Sequence, residues 1–188
     1  SLLTKQKRKP RAEPPTRTVP VSLTEDEVQR LLEALSASTG HFAEIRRRTL
    51  IIVMLCCGLS AQEVCDLRWT SIFLTQELEL RLPGGRRTRR VPLTSVAASA
   101  LLEWKKLAGS RSVCDGQADQ FVFVKGKDRR PYKPSGIYRL VLAGMKMAGI
   151  EKDRISPKTL RSTFAARNLS EGVPLETVQL WLGHGSAA

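Results

Sequence analysis

The chain has 188 residues, 41% of them hydrophobic, which is enough for one good-sized core with or without a tail. No apolar run approaches the length of a bilayer span, and no apolar segment follows the basic N-terminus, so neither a transmembrane protein nor a signal peptide is expected. Thirty-one Lys and Arg against eighteen Asp and Glu leave a net charge of +13, which favours a polyanionic partner: nucleic acid first, and an anionic membrane surface only second, because no basic amphipathic helix with exposed Trp or Phe stands out.

Residues 1–20 are basic and rich in Pro, with little to bury, and read as an inter-domain linker or DNA-contacting arm. Order is expected from 21 to 188. Ser22 or Thr24 can cap a first helix, with Glu25, Asp26 and Glu27 at its positive end and Val28, Leu31, Leu32 and Leu35 at helical spacing. A second helix is predicted over 42–57, stopped by Gly58, and a short third over 62–68. The period then changes to two. Residues 77–82 alternate as a strand, Pro83-Gly84-Gly85 turns, and residues 89–93 return, giving a β-hairpin with Arg86 and Arg87 at its tip. Helices follow over 95–107, 134–148, 157–169 and 175–182, with a short strand over 120–124. The fold class expected is mainly α with a small antiparallel sheet (α+β).

The four cysteines, Cys56, Cys57, Cys65 and Cys114, form no CxxC pair, and His41 and His184 lie far from them in sequence. A zinc site is not expected. Three of the four sit in an apolar helical stretch and read as free thiols of a reducing, intracellular compartment.

Three segments stand out together: Cys57-Gly-Leu-Ser-Ala-Gln-Glu-Val-Cys-Asp-Leu-Arg-Trp; the hairpin ending Arg90-Val-Pro-Leu; and Ser156-Pro-Lys-Thr-Leu-Arg-Ser-Thr-Phe-Ala, followed by Val178-Gln-Leu-Trp-Leu-Gly-His184. In this order they resemble the C-terminal catalytic domain of the tyrosine recombinases (the phage integrase family) over about residues 20–188. That family carries T-G-L-R-x-x-E-L-x-x-L-x-W, a Lys-bearing hairpin, H-x-x-R and L-G-H, then a nucleophilic Tyr. The resemblance implies the DNA breaking-rejoining fold. It implies a Tyr that forms a covalent 3′-phosphotyrosine while two Arg clamp the phosphate oxygens and a hairpin Lys protonates the leaving oxygen. No metal and no cofactor are implied.

Carried over by position, Arg161 matches the Arg of H-x-x-R, Lys158 stands where the family usually has His, His184 matches the L-G-H histidine, and Glu63 matches the supporting glutamate. Ser60 occupies the place of the first catalytic Arg, and Gly84 falls at the hairpin Lys position. No Tyr follows His184 within this sequence, and Tyr132 and Tyr138 read as belonging to another region. Ser60 can donate one hydrogen bond but brings neither charge nor a bidentate fork.

The expected DNA-facing set is therefore Arg86, Arg87, Arg89, Lys158 and Arg161, with His184 and the basic runs 46–48 and 125–130 beside them. The partners expected are double-stranded DNA and other recombinase subunits, with no membrane, and the setting is the cytoplasm, at the nucleoid. Two readings of the departures stay open. The sequence is either a truncated or altered form of a recombinase that integrates or recombines mobile DNA, unable to cleave alone, or a naturally degenerate, non-catalytic DNA-binding or recombinase-partner module. A generic basic helical protein is a third and weaker reading.

Overall fold

The computed structural model describes residues 20–37, 40–74, 78–83, 88–110, 120–126 and 129–183. Most of the expected arm, the hairpin tip with Gly84, Arg86 and Arg87, and both Cys114 and His184 lie outside these residues.

Helix α1 (Glu25–Ser36) begins at Thr24, not Ser22. The Thr24 hydroxyl accepts from the Glu27 N–H, and the Glu27 carboxylate accepts from the Thr24 N–H at 2.7 Å. This reciprocal box satisfies two donors that a helix start leaves orphaned. Lys152 then donates to the same carboxylate at 2.6 Å and ties the start of α1 to a later loop.

Helix α2 (Phe42–Cys57) has the bounds expected. Leu50 to Leu55 are all buried, so this stretch is apolar on every side. It forms the axis of the molecule, with helices α4 (Ser95–Ser110), α5 (Pro134–Met147) and α6 (Pro157–Ser170) packed around it. Gly58 closes α2 in the left-handed region at φ 63°. A Cβ there would lie 2.4 Å from Cδ1 of Phe164. Gly58→Ala should thus combine backbone strain with overpacking and cost about 3 kcal/mol. A chemical denaturation midpoint left unchanged in Gly58→Ala would contradict this.

Helix α3 (Ala61–Asp66) ends two residues before the expected stop. Leu67 is extended because its carbonyl accepts from the Val122 N–H at 2.8 Å, and Trp69 N–H donates to Gln120 at 3.0 Å. The sequence after the helix is thus drafted into a bridge between Arg68 and Phe121. That bridge also absorbs most of the strand expected over 120–124. Only Val124–Lys125 (β4) pairs as a ladder, with Arg130–Pro131 (β5).

The hairpin is present, and it is part of a three-stranded antiparallel sheet in the order β1 (Ile72–Leu74), β2 (Leu78–Leu82), β3 (Arg89–Pro92). Leu80 faces Val91 and Arg81 faces Arg90. Leu80, Leu82 and Val91 point into the core. The first strand was not anticipated, since Ile-Phe-Leu is too short to show a period of two.

Helix α4 runs three residues past the expected end. It buries Trp104, whose indole N–H donates to the Val122 carbonyl at 2.8 Å. Gly144 of α5 lets α2 approach so closely that a Cβ would sit 2.3 Å from Cδ1 of Ile51. Helix α7 (Leu175–Leu182) packs on α6 through Val178, Leu182, Phe164 and Trp181. The architecture is the mainly helical one with a small antiparallel sheet. Among the described residues no helix is long and apolar enough to cross a membrane.

Candidate functional site

Helix α6 carries the two cations that the sequence singled out. Its first turn is fixed by Pro157 and by the Ser156 N–H, which donates to Oγ1 of Thr159 at 3.1 Å. Lys158 and Arg161, three residues apart, rise on one face. Lys158 is exposed, whereas the Arg161 side chain keeps only 19% of its surface.

Arg161 is held by three intramolecular hydrogen bonds. Its Nη1 donates to the Gly58 carbonyl at 2.7 Å and to Oε2 of Glu63 at 3.2 Å, and its Nη2 donates to the Leu182 carbonyl. The guanidinium thus joins the end of α2, the start of α3 and the end of α7. Burial lowers its pKa, opposed by Glu63 and reinforced by Arg89. Three of the five N–H donors of a guanidinium are spent in this way.

Glu63 is the hub of the arrangement. It accepts from the Ser60 N–H at 2.7 Å and pairs with both Arg161 and Arg89. Burial pushes its pKa up, but the Arg89 guanidinium, the Ser60 N–H and the Ser60 hydroxyl outweigh it, and the carboxyl stays below the ordinary value. Glu63 thus pairs with two arginines from two other elements, and the trio keeps one net positive charge.

Ser60 is the N-cap of α3, and its hydroxyl accepts from the Glu63 N–H at 3.3 Å. Its oxygen is engaged in the capping box, and it brings no positive charge to the site.

Arg89, expected to face DNA, is turned inward. Its side chain is 11% exposed, pairs with Glu63 and packs against Gly183. Gly183 caps α7 at φ 69°, and a Cβ there would lie 2.5 Å from Nη1 of Arg89. The glycine before His184 is therefore required twice, by backbone conformation and by the guanidinium beside it.

A cleft of about 900 Å³ opens over this cluster, lined by Ser60, Gln62, Arg139, Lys158 and Arg161 together with Tyr138 and the ring of Pro157. Tyr138, which reads in the sequence as belonging to another region, is brought to the cleft by α5. Its hydroxyl donates to the Ile155 carbonyl at 3.4 Å. Arg139 was not anticipated at all. The one pattern legible in its segment is the core face of α5, which includes Ile137, Val141 and Met145, and nothing local says what the opposite face meets.

The structure brings Ser60, Glu63, Arg89, Lys158 and Arg161 together. The basic runs behave differently. Arg46 lies against the rings of Phe42 and Tyr132 at 5.8 and 5.3 Å, and Arg48 pairs with Glu103 of α4. Arg129 donates to Gln120 at 2.7 Å. These three side chains are engaged within the protein itself. Among the described residues no group of three or more His, Cys, Asp and Glu gathers as a metal site would require.

Residues 21–188 match the family described as the phage integrase family. The chain belongs to that family. A tyrosine recombinase of Thermosipho africanus is 34% identical over 169 residues, covering 89% of this chain and 54% of the relative. Tyrosine recombinase XerD of Xanthomonas axonopodis pv. citri is 32% identical over 178 residues, covering 90% of this chain and 56% of the relative. This phage integrase family domain thus spans about half the length of the curated relatives it matches. Among solved structures, XerA recombinase superposes with a TM-score of 0.74 at 29% identity, covering 92% of this chain and 58% of the other. XerH site-specific recombinase bound to palindromic difH substrate superposes at 0.77 with 22% identity, covering 90% and 48%, and shows the same fold. The domain is of the tyrosine recombinase catalytic type.

Proposed function

We propose that this domain grips duplex DNA by its phosphate backbone at the α3–α5–α6 cleft and does not cut DNA by itself. One observation carries the reading: Lys158 and Arg161 line an open cleft, while Ser60, at the position of the family's first Arg, is engaged as a helix cap. A site for a phosphodiester under attack needs dense, preorganised charge. Losing one such donor typically costs about 3 kcal/mol of transition-state stabilisation. Binding a resting phosphate asks for less.

In this reading Arg161 and Lys158 contact phosphate oxygens, and Glu63 and Arg89 are positioning residues that aim Arg161. Arg86, Arg87 and His184 would add contacts from the hairpin tip and from the residue after α7. Gly84 supplies no proton to a leaving oxygen. The DNA complexes of XerH and of the Tn1549 transposon integrase support DNA as the partner. In this reading the DNA is duplex and other recombinase subunits stand beside the domain on it. The setting is intracellular, on the nucleoid.

Fluorescence anisotropy on a labelled duplex tests the binding half. The logarithm of affinity should fall linearly with the logarithm of salt, by about 0.9 per phosphate neutralised. No binding at low salt would overturn the proposal. A nicked suicide duplex tests the other half. The chain should form no covalent adduct with it, and an adduct surviving denaturing electrophoresis would overturn the non-cleaving reading.

A further inference from the structure

We propose that Arg139 supplies the second guanidinium of the phosphate site, reaching from α5 into the cleft to take over the charge that Ser60 does not provide. The inference rests on the phosphate-binding reading above and adds a residue to it.

The cleft has two walls. One is formed by α6 with Lys158 and Arg161 and by the start of α3 with Ser60 and Gln62. The other is the first half of α5, with Pro134, Ser135, Tyr138 and Arg139. Helices α3 and α5 pack directly on each other, so Ser60 and Arg139 flank the same opening. The lining contains two guanidiniums, Arg139 and Arg161.

Their situations differ. Arg161 is committed to Gly58, Glu63 and Leu182, and its remaining donors lie on Nε and Nη2. That leaves one part-used guanidinium for the two non-bridging oxygens of a phosphodiester, each of which can accept more than one hydrogen bond. Arg139 is exposed and makes no hydrogen bond or ion pair among the described residues. Arg139 lines the cleft together with Tyr138, Pro134 and Pro157, and the lining contains no carboxylate to compete for it. A long cation with all its donors uncommitted, across an apolar-walled opening from a half-spent one, is suited to a bidentate contact with the same phosphate group. The carboxylate that pairs with Arg161 and Arg89 forms no ion pair with Arg139, so Arg139 and Lys158 add their full charges to the positive potential that attracts the backbone.

A solvated surface arginine would look similar in isolation, and a double-mutant cycle separates the two. DNA affinity is measured by anisotropy for the wild-type chain, Arg139→Gln, Ser60→Arg and the double variant, with Lys146→Gln on the same helix outside the cleft as a control for general charge loss. Arg139→Gln should weaken binding about tenfold and lower the salt slope by about 0.9, one phosphate contact, while Lys146→Gln should change affinity less than twofold. Ser60→Arg should restore the missing charge and make Arg139 largely redundant, so that the tenfold loss shrinks to about two- or threefold in the double variant. Arg139→Lys should recover part of the affinity, since it keeps charge without the fork.

Equal losses in Arg139→Gln and Lys146→Gln, or losses at 139 that are the same with Ser60 and with Arg at position 60, would overturn the inference while leaving DNA binding intact. If Ser60→Arg does not fold, the comparison of positions 139 and 146 decides alone. Absence of DNA binding by the wild-type chain would overturn the functional reading as well.

Discussion

Glu63→Gln is expected to lower the free energy of unfolding by about 3 kcal/mol, the scale of breaking a largely buried ion pair from one side. The amide keeps the shape and can still accept from the Ser60 N–H, but it leaves Arg89 and Arg161 facing each other without a counter-charge. The pH dependence identifies the cause. Glu63 titrates below its ordinary value of 4.5 in the folded protein. Its contribution is therefore fully present above the unfolded value and is lost as pH falls through the folded one. Wild type and Glu63→Gln should differ by a constant amount at neutral pH and converge as the pH drops below about 4.5. A gap that persists unchanged to pH 3 in urea titrations would show that the effect is packing and not charge.

The second large effect is expected at Arg161. Arg161→Lys keeps one positive charge but replaces a planar fork by a point donor. A single ammonium cannot serve the Gly58 carbonyl, the Glu63 carboxylate and the Leu182 carbonyl at once. Each partly buried acceptor left unmatched costs about 1–3 kcal/mol, so a loss of about 2–4 kcal/mol in stability is expected. DNA affinity should fall at least tenfold, because the side chain that remains would be drawn toward Glu63 and away from the cleft. Calorimetric melting and anisotropy measured together check this. Wild-type affinity in a destabilised Arg161→Lys would remove Arg161 from the phosphate site. Arg161→Ala should be worse on both counts, since it leaves the Gly58 and Leu182 carbonyls and Oε2 of Glu63 all without this donor and removes the charge.

The helices were legible because their signals are local. Thr24 with Glu27, Gly58 after an apolar run, and Pro134 and Pro157 at helix starts each act within one turn. The strands were legible where alternation lasted five residues, as in β2, and not where three residues pair only because a neighbour is present, as in β1. The site divided in the same way. Ser60, Glu63, Lys158 and Arg161 were named because they stand in ordered motifs, and the structure brings them together. Arg89 was found as a residue and misjudged in orientation, since the period of β3 says which face it takes but not that a carboxylate from α3 waits there. Arg139 and Tyr138 had no local signal. Their place depends on how α5 packs against α3, a contact between segments some seventy residues apart that no pattern within either segment encodes.

The hydrogen bond from Arg161 to the Leu182 carbonyl, with Arg89 against Gly183, makes two events share one side chain. In the proposed site a bound phosphate would draw on the same guanidinium as the end of α7. Whatever a phosphate does to that bond, the geometry at residue 183 must return in kind: if occupancy of the cleft weakens or strengthens the hold on α7 by some factor, fixing the end of α7 changes phosphate affinity by that same factor. If Arg161 contacts phosphate as proposed, the geometry at Gly183 is thereby coupled to DNA affinity. Amide exchange along α7, with and without duplex DNA, measures the coupling directly, and identical protection in the two states would set it at zero.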